Sequence, residues 1–338
     1  MVYAEVFIYM RKIDPAKIKN VVISRTDRMG DVILTLPLVS ECKRIFNEAK
    51  IWFLVSGYSE PLLRNYEGID ELIYIEDYPE KKDLKEFFKE KGIDLIIHAF
   101  PRPEISSAAY KAGIKYRVGA GARWYSITYN KRVSQHRSRC EKNEADYNLD
   151  LLDAIVDGVK YDKKYKFRFS DAEVEKFWVH ANLYNIFSDD KYVIIHPGSG
   201  GSAKDLPMDK FAAIAERICE LYPEYKIVIT GTEAESILAD EIMNEGCINM
   251  SGKLTLRELM MLINGCALFL ANSTGPIHIA GAMDKEIIGF YPNSKPINAT
   301  RWGPPGNSAS VITPPEGSDE MNKIDVDRVI DIVKEKLN

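Results

Sequence analysis

Residues 192–204, Tyr192-Val-Ile-Ile-His-Pro-Gly-Ser-Gly-Gly-Ser-Ala-Lys204, run from an uninterrupted apolar stretch into a glycine-rich turn. A stretch of the same kind lies near the N-terminus, where Val21-Val-Ile-Ser24 precedes Arg25-Thr-Asp-Arg-Met-Gly-Asp31 and an apolar segment that starts at Val32. Apolar runs without polar alternation are typical of parallel strands covered on both faces. Each stretch therefore predicts a strand, a tight turn and a helix, which is the opening unit of a doubly wound α/β domain.

Similar apolar runs follow each of these two units along the chain. They predict strands at 51–55, 72–75 and 95–98 in the first half and at 226–230, 268–271 and 287–290 in the second. Between them, residues 208–222 carry an apolar stripe of helical period, which predicts a crossover helix. The sequence thus predicts an α/β protein with two doubly wound Rossmann-like domains that face a cleft.

A chain of 338 residues exceeds what one hydrophobic core usually organises. We place an N-terminal domain at 1–170, a linker region at 171–190, a C-terminal domain at 191–322 and a final helix at 323–338. A short strand and one helix, Asp171 to Leu183, are expected where the domains join. The last helix, Val326 to Leu337, has no strand after it and could pack on either domain. Our hypothesis is that it packs back on the N-terminal domain.

Composition excludes several classes of function. The net charge of −5, from 45 basic and 50 acidic residues, argues against nucleic acid as a partner. The longest apolar runs, such as residues 266–271, are too short to span a membrane, and the N-terminus lacks a convincing signal-peptide pattern. Five cysteines without a CxxC pair predict neither a disulfide framework nor a zinc site. These features are typical of a cytoplasmic enzyme or binding protein.

Asp31 is the candidate catalytic residue. It follows the turn at Gly30 and lies where the first helix begins. One interpretation is a helix cap, since aspartate accepts hydrogen bonds from free amides there. The other is a general base held at the carboxyl edge of a parallel sheet, where such folds bind ligands.

The glycine-rich loop is a candidate anion site. Ser199, Gly200 and Gly201 would bring backbone amides to a phosphate, and Lys204 would add a positive charge. The loop is not a Walker A motif, because Lys204 is followed by Asp205 and lacks the preceding glycine. It loosely matches the dinucleotide pattern as Gly198-x-Gly200-x-x-Ala203, and a turn that serves only backbone geometry is the plainer alternative.

Two more strand ends carry polar side chains. After the strand at 226–230, Glu233 or Glu235 could bind ribose hydroxyls, although either could simply complement a helix N-terminus. After the strand at 268–271, Ser273, Thr274 and Gly275 offer small donors suited to a diphosphate or a sugar. His278 could contact the ligand, but the same segment is also consistent with ordinary helix initiation.

One region differs from the rest of the chain in charge. Residues 117–142 contain seven Arg and Lys residues against one acid, with aromatic residues between them. The region is either a solvated loop or a surface for an anionic partner. Its candidate acceptor-binding residues are Arg117, Arg123, Lys131, Arg132 and Arg137. The one Asp-x-Asp sequence, at 325–327, is adequately explained as a helix cap, so we expect no required metal.

Four passages, taken in order, resemble those of the heptosyltransferase-type glycosyltransferases, the family that includes the lipopolysaccharide core heptosyltransferases. They are Arg25-Thr-Asp-Arg-Met-Gly-Asp31 with Thr35-Leu-Pro37, His196-Pro-Gly-Ser-Gly-Gly-Ser-Ala-Lys204 with Leu206-Pro207, Asn272-Ser-Thr-Gly-Pro-Ile-His278, and Phe290-Tyr-Pro-Asn293 with Arg301-Trp-Gly-Pro304. The resemblance covers most of the chain, from residue 25 to residue 304.

The resemblance implies a GT-B architecture in which the N-terminal domain binds the acceptor and the C-terminal domain binds an ADP-activated heptose. It implies that Asp31 is the base, that Lys204 contacts donor phosphate, and that Glu233 or Glu235 binds ribose. It further implies donor contacts by the segment at Thr274, Gly275 and His278, and an adenine pocket at Leu254. The family carries an Asp at the position of Ser273, so the donor sugar is less firmly implied than the fold.

The leading hypothesis is an inverting, metal-independent glycosyltransferase without a cofactor. It would move a sugar, heptose from ADP-heptose above all, onto a lipopolysaccharide core or a related anionic glycan or glycolipid. The protein would be cytoplasmic, with peripheral contact to the inner membrane through its basic region. The alternatives are an NAD-dependent oxidoreductase, a non-catalytic nucleotide-sugar-binding protein, and a sugar-nucleotide epimerase on the same architecture.

Overall fold

Two parallel six-stranded sheets form the molecule. The computed structural model describes residues 13–121, 123–201, 204–244 and 246–338. The strands of the first sheet are β1 (Asn20–Ser24), β2 (Lys50–Val55), β3 (Glu71–Tyr74), β4 (Leu95–His98), β5 (Tyr116–Ala120) and β6 (Lys131–Val133). Those of the second are β7 (Lys191–His196), β8 (Tyr225–Ile229), β9 (Cys247–Asn249), β10 (Leu268–Asn272), β11 (Ile287–Phe290) and β12 (Ala309–Ile312).

Helices cover both faces of each sheet. In the first half they are α1 (Met29–Ile33), α2 (Pro37–Ile45), α3 (Glu60–Leu63), α4 (Lys81–Glu90), α5 (Pro103–Ala112) and α6 (Glu144–Leu149), and α7 (Asp171–Asn182) joins the halves. In the second half they are α8 (Met208–Leu221), α9 (Ser236–Ile242), α10 (Leu256–Gly265), α11 (Gly275–Ala282), α12 (Ala299–Trp302) and α13 (Val326–Leu337). In the described part of the chain, none of these helices has the length and apolar character needed to cross a membrane.

The two sheets have the same topology. Their strand orders are β3-β2-β1-β4-β5-β6 and β9-β8-β7-β10-β11-β12, so that each half repeats the doubly wound 3-2-1-4-5-6 arrangement. The order reverses beside β1 in one half and beside β7 in the other. Ligands of such sheets bind outside the carboxyl ends of the strands at this reversal. Asp31 follows β1, and the segment 273–278 follows β10, the neighbour of β7.

The core passes from one half into the other. One face of the first sheet packs under α4 and α5, and the outer face of the second packs under α8 and α13. The remaining faces share a single apolar cluster, to which Phe53 contributes from β2 and Phe269 from β10. Phe177 of α7 belongs to the same cluster. The two halves are therefore packed against each other through buried apolar side chains.

Arg257 of α10 adds a polar connection at this junction. Its guanidinium pairs with Glu173 of α7, with Nε 3.0 Å from Oε1, and Nη2 donates to the carbonyl of Arg168 at 2.7 Å. Nη1 lies 3.4 Å from the carbonyls of Pro61 and Arg64, which belong to the first half. Because the side chain is almost fully buried, one guanidinium links three segments of the chain.

The structure confirms the predicted fold class and extends it. Four strands, β5, β6, β9 and β12, were not predicted, and no strand forms between 161 and 170. The helix expected from Val32 is interrupted, since α1 ends at Ile33 and α2 begins at Pro37.

The final helix does not pack back on the N-terminal domain. Val329, Ile330 and Val333 of α13 join the apolar cluster that contains Phe211 and Ile218 of α8. Its apolar stripe therefore completes the C-terminal half.

Candidate active site

The two halves meet where helices α1 and α11 begin. A Cβ atom on Gly30 would lie 2.7 Å from Cδ2 of His278, and one on Gly275 would lie 3.2 Å from Sδ of Met29. The absence of side chains at these two glycines therefore allows the helix starts to approach each other. This contact brings together two segments that the sequence predicted as separate candidate sites.

Beside this contact lies a cavity of about 250 Å³, here called the Asp31 cavity. Both halves line it. The lining residues from the first half are Arg28, Gly30 and Asp31, and those from the second are Ser273, Thr274, Gly275, His278, Pro296, Ile297, Arg301 and Trp302. The structure therefore groups Asp31 with four of the residues predicted to bind the donor.

Asp31 is largely buried and pairs with the guanidinium of Arg25. Burial raises the pKa of Asp31 to about 6, although Arg25 opposes the rise, and the nearby carboxylates of Asp27 and Glu144 add to it. A carboxylate with such a pKa is ionised at neutral pH and is a stronger base than an exposed aspartate. Asp31 is not the cap of α1. The N-cap residue is Arg28, and Asp31 lies in the first turn of the helix.

Arg25 belongs to a buried ionic network. Its Nε donates to Asp27 at 2.7 Å, and Nη1 lies 3.2 Å from the carbonyl of Ala99 and 3.3 Å from Glu144. Glu144 also binds Arg137, and its other oxygen accepts from Nε of Arg301 at 3.0 Å. Burial alone would raise the pKa of Glu144, but the three guanidiniums lower it. Arg301 is therefore linked to Asp31 through Glu144 and Arg25.

His278 of α11 is buried and lines the Asp31 cavity beside Gly30. Burial lowers its pKa to about 4, so the imidazole is neutral at physiological pH. Its Nδ1 has no hydrogen-bond partner among the residues that the structure describes. A neutral imidazole with an unused nitrogen can donate to or accept from a bound polar group.

A larger cavity of about 640 Å³ adjoins the first and is called the Leu254 cavity. It has the size of a typical small-molecule pocket. The two cavities share Arg28, Gly30, Thr274 and Gly275. The other lining residues are Met29, His196, Ser199, Gly200, Gly231, Thr232, Glu233, Glu235, Gly252, Leu254, Leu256, Leu259 and Pro276. Leucine side chains supply an apolar wall, and polar groups of the strand ends line the rest.

The two candidate ribose ligands differ in what they already bind. The carboxylate of Glu235 accepts from the amide and the hydroxyl of Thr232, both at 2.8 Å. Although burial opposes it, these bonds and one from the Gly200 amide lower the pKa of Glu235. Glu233 is exposed in the Leu254 cavity, and its carboxylate has no hydrogen bond or ion pair within the described ranges. Glu235 thus holds the loop, and Glu233 presents the unused carboxylate.

The glycine-rich loop lies partly along the Leu254 cavity. Gly200 and Gly201 have φ angles of 57° and 74°, a conformation that favours glycine. Ser199 and Gly200 line the cavity, whereas Gly201 and Lys204 do not. The ammonium of Lys204 lies 3.1 Å from Asp319. Ala203 of the dinucleotide-like pattern lies outside the described residues.

The predicted acceptor-binding residues do not line either cavity. Arg117 donates from Nε to the carbonyl of Thr128 at 2.7 Å, and Arg132 donates to that of Tyr129 at 3.0 Å. The remaining three differ in exposure: Lys131 is buried, Arg137 pairs with Glu144, and Arg123 is exposed. Much of this basic segment therefore binds its own domain.

Several cavity residues were not predicted as site residues. Arg28 lies within the quoted first motif, and its guanidinium has no hydrogen bond or ion pair with any described residue. Arg301 and Trp302 lie within the last quoted passage, and the guanidinium of Arg301 lies 4.6 Å from the Trp302 ring centroid. The position of Arg28, Arg301 and Trp302 inside the quoted passages was the signal that could have identified them. No group of three or more metal-ligating side chains is found among the described residues.

Comparisons with known proteins show the family and the fold of the chain. The sequence pattern of glycosyltransferase family 9 (heptosyltransferase) matches residues 84–326. A Haemophilus influenzae protein provisionally named a glycosyltransferase is 28% identical over 91% of this chain and 93% of its own. The lipopolysaccharide heptosyltransferase 2 of Escherichia coli is 22% identical over 79% and 81% of the two chains.

Solved structures show the same fold. A family 9 glycosyl transferase from Veillonella parvula superposes with a TM-score of 0.84 at 19% identity, covering 96% of this chain and 98% of that one. The ADP-heptose lipopolysaccharide heptosyltransferase II of Escherichia coli gives 0.77 at 20% identity, covering 94% and 98%. The family match spans more than two thirds of the sequence and favours a glycosyltransferase over the oxidoreductase, epimerase and non-catalytic hypotheses. The chain belongs to glycosyltransferase family 9, the heptosyltransferase family.

Proposed function

We propose that this glycosyltransferase moves heptose from ADP-heptose onto a lipopolysaccharide core acceptor, with inversion at the anomeric carbon and without a metal ion. The observation that carries the proposal is the continuity of the two cavities. A buried carboxylate, Asp31, adjoins a pocket of nucleotide size, and the residues shared between the two cavities come from both halves. The relatives named for lipopolysaccharide heptose transfer support the choice of sugar and acceptor.

Asp31 acts as the general base in this proposal. It takes the proton from an acceptor hydroxyl while that oxygen forms a bond to the anomeric carbon of the donor. The bond between the anomeric carbon and the diphosphate oxygen breaks, and ADP leaves with the electron pair. Attack from the face opposite the leaving group inverts the configuration. The raised pKa of Asp31 supports this role, because it makes the carboxylate a better proton acceptor.

The charge that develops on the leaving diphosphate requires cationic or hydrogen-bonding partners. Arg28 is shared by both cavities, has no ion pair with any described residue, and lies beside the start of α11. Free amides at the start of that eight-residue helix favour an anion. Lys204, which pairs with Asp319, would have to exchange that partner for phosphate. We therefore assign the first phosphate contact to Arg28 and keep Lys204 as a proposed second one.

The nucleoside would occupy the Leu254 cavity. Leu254, Leu256 and Leu259 offer an apolar surface for the adenine ring. Glu233 has the free carboxylate that a ribose hydroxyl pair would need, so we choose it over Glu235. Ser273 stands beside the proposed sugar position as a small neutral group. Arg28 and Arg301 line the Asp31 cavity, which favours an anionic acceptor.

Peripheral contact of the basic region with a membrane also belongs to this proposal. Arg123 of this region is exposed, and the neighbouring Trp124 side chain is 82% exposed. They support contact with an anionic lipid surface rather than direct binding in the cleft. Flotation with anionic and with neutral vesicles tests this point, and equal binding to both vesicle types would contradict it.

Transfer of radiolabelled heptose from ADP-heptose to a heptose-deficient lipopolysaccharide core tests the function. We expect turnover that EDTA does not reduce, a product of inverted anomeric configuration, and calorimetric binding of ADP in preference to UDP and GDP. Preference for UDP or GDP would replace the donor while leaving the family activity in place. Loss of turnover in EDTA, restored by a divalent ion, would contradict metal independence.

A further inference from the structure

The inference concerns Glu144, a buried carboxylate that binds three guanidiniums. Its Oε1 accepts from Arg25 and Arg137, and its Oε2 accepts from Arg301. Arg25 and Arg137 belong to the N-terminal half, whereas Arg301 belongs to α12 of the C-terminal half. Glu144 is 1% exposed, so this carboxylate is shielded from water and from competing ions.

The same place is a docking contact between the halves. Nδ2 of Asn143, the N-cap residue of α6, donates to the carbonyl of Gly303 at 3.0 Å. The partner segment, 296–303, also lines the Asp31 cavity through Pro296, Ile297, Arg301 and Trp302. Docking of this segment therefore completes the cavity wall and completes the shell of guanidiniums around Glu144.

Arg25 also binds Asp31, and its Nε donates to Asp27. The guanidinium of Arg25 is thus shared among the carboxylates of Asp27, Asp31 and Glu144. A carboxylate that draws Arg25 away from Asp31, or adds its own negative charge nearby, makes Asp31 hold its proton more strongly. The titratable and charged groups that face Asp31 from the surrounding elements are Arg25, Asp27, Arg28, Tyr58, Glu144, His278 and Arg301.

We propose that Glu144 is a positioning residue for the base, which holds Arg25 in place beside Asp31 and couples it to Arg301 when the two halves are docked. The inference rests on the proposed role of Asp31 as general base. It goes beyond that role, because it makes base strength depend on a contact supplied by the other half. Neither Glu144 nor Arg25 need touch the substrate for this to hold.

The test is the pH profile of kcat/KM for the E144Q variant. Loss of the negative charge of Glu144 removes one competitor for Arg25 and one negative charge near Asp31, so we expect the acid limb to move to lower pH by about one unit. We also expect kcat at pH 8 to fall about tenfold, since the base is weaker and less well positioned, while ADP binding stays within about twofold because Glu144 lies outside the Leu254 cavity. E144D, which keeps the charge, should restore the limb toward that of the wild type.

A second variant gives the opposite sign. In R301Q the charge of Glu144 is less neutralised, so the acid limb should move to higher pH. Arg301 is more exposed than Glu144, and this variant carries the test if E144Q fails to fold in a thermal melt. The matched control is E141Q, which removes an exposed carboxylate three residues away.

The outcomes separate this inference from the proposed function. Acceptor phosphates titrate alike in all variants, so differences between the profiles report on the enzyme. If the wild type is active and the acid limb of the kcat/KM profile does not move in E144Q or in R301Q, the proposed role of Glu144 is wrong. An equal shift in E141Q also overturns it, because a general surface-charge effect would then suffice. A wild type that transfers no heptose overturns the proposed function instead.

Discussion

Asp31 shows how one carboxylate is poised by two opposing effects, burial and a paired guanidinium. The D31N variant keeps the shape of the side chain and removes the proton acceptor. We expect turnover to fall about 10³-fold, with ADP affinity within about twofold of wild type because Asp31 does not line the Leu254 cavity. Steady-state assays and calorimetry provide the two measurements. Turnover near the wild-type value would show that another group takes the proton.

The pKa of Asp31 sets the expected pH dependence. Because burial raises it to about 6, the residue is protonated, and inactive as a base, below that pH. We expect kcat/KM to fall about tenfold per pH unit on the acid side of pH 6 and to level off above it. His278, whose pKa is lowered to about 4, should not contribute to this limb. An acid limb near pH 4 would contradict the assignment.

Glu233 and Glu235 provide a matched pair at the nucleotide pocket. E233A removes a carboxylate without a protein partner and should weaken ADP binding about tenfold with little change in thermal stability. E235A removes the acceptor for the amide and the hydroxyl of Thr232. In contrast to E233A, it should lower the melting temperature. Calorimetry and thermal melts distinguish the two. Unchanged ADP binding in E233A would assign the ribose contact elsewhere.

Among the elements, α1 and α11 depend on the closest approach. The G30A variant would place Cβ 2.7 Å from Cδ2 of His278, so the helix starts must separate. We expect kcat/KM to drop at least about tenfold and stability to fall by about 1–3 kcal/mol. G57A is the control, because a Cβ there meets only Oε2 of Glu76, at 3.7 Å. Assays and urea unfolding of both variants would decide, and a fully active G30A would mean that this contact is not needed.

Strands that read as continuous apolar runs could be predicted from the sequence, and strands that carry charged side chains could not. β1 and β7 read as continuous apolar runs because both faces are covered. β5 and β6 carry Arg117, Lys131 and Arg132, and they escaped prediction because partly solvated strands accommodate charge. The same limit applied to the basic segment, whose arginines bind carbonyls that no sequence pattern reveals.

The same distinction applies to the site. Asp31 and the residues 273–278 could each be predicted as candidate sites, because each follows the carboxyl end of a central strand. Their contact joins two different sheets and is seen only in the structure. The network of Arg25, Glu144 and Arg301 could not, since it joins residues far apart in sequence through α6 and α12. The spacing of residues in the sequence does not indicate a contact of this kind, because it forms where the two halves meet.

At the scale of the whole molecule, Arg257 joins α10 to α7 and to the first half. R257M removes a buried charge and leaves Glu173 and backbone carbonyls without their donor, so we expect a loss of about 3 kcal/mol in the free energy of unfolding. R64M breaks only an exposed pair with Glu60, so its loss should stay below about 0.5 kcal/mol. Urea titration measures both. Equal losses would show that Arg257 is not a junction residue.

The apolar cluster that runs through both sheets has a consequence for engineering. A designer who wishes to change the sugar donor would exchange the C-terminal half for that of a relative, as if the halves were independent modules. Here the exchanged half would bring a foreign surface to Phe53 and Phe177, which pack in the same cluster as Phe269. A functional chimaera must therefore include α7 of the donor protein and a repacked shared interior together with the new half. A chimaera joined at residue 190 without these changes should aggregate.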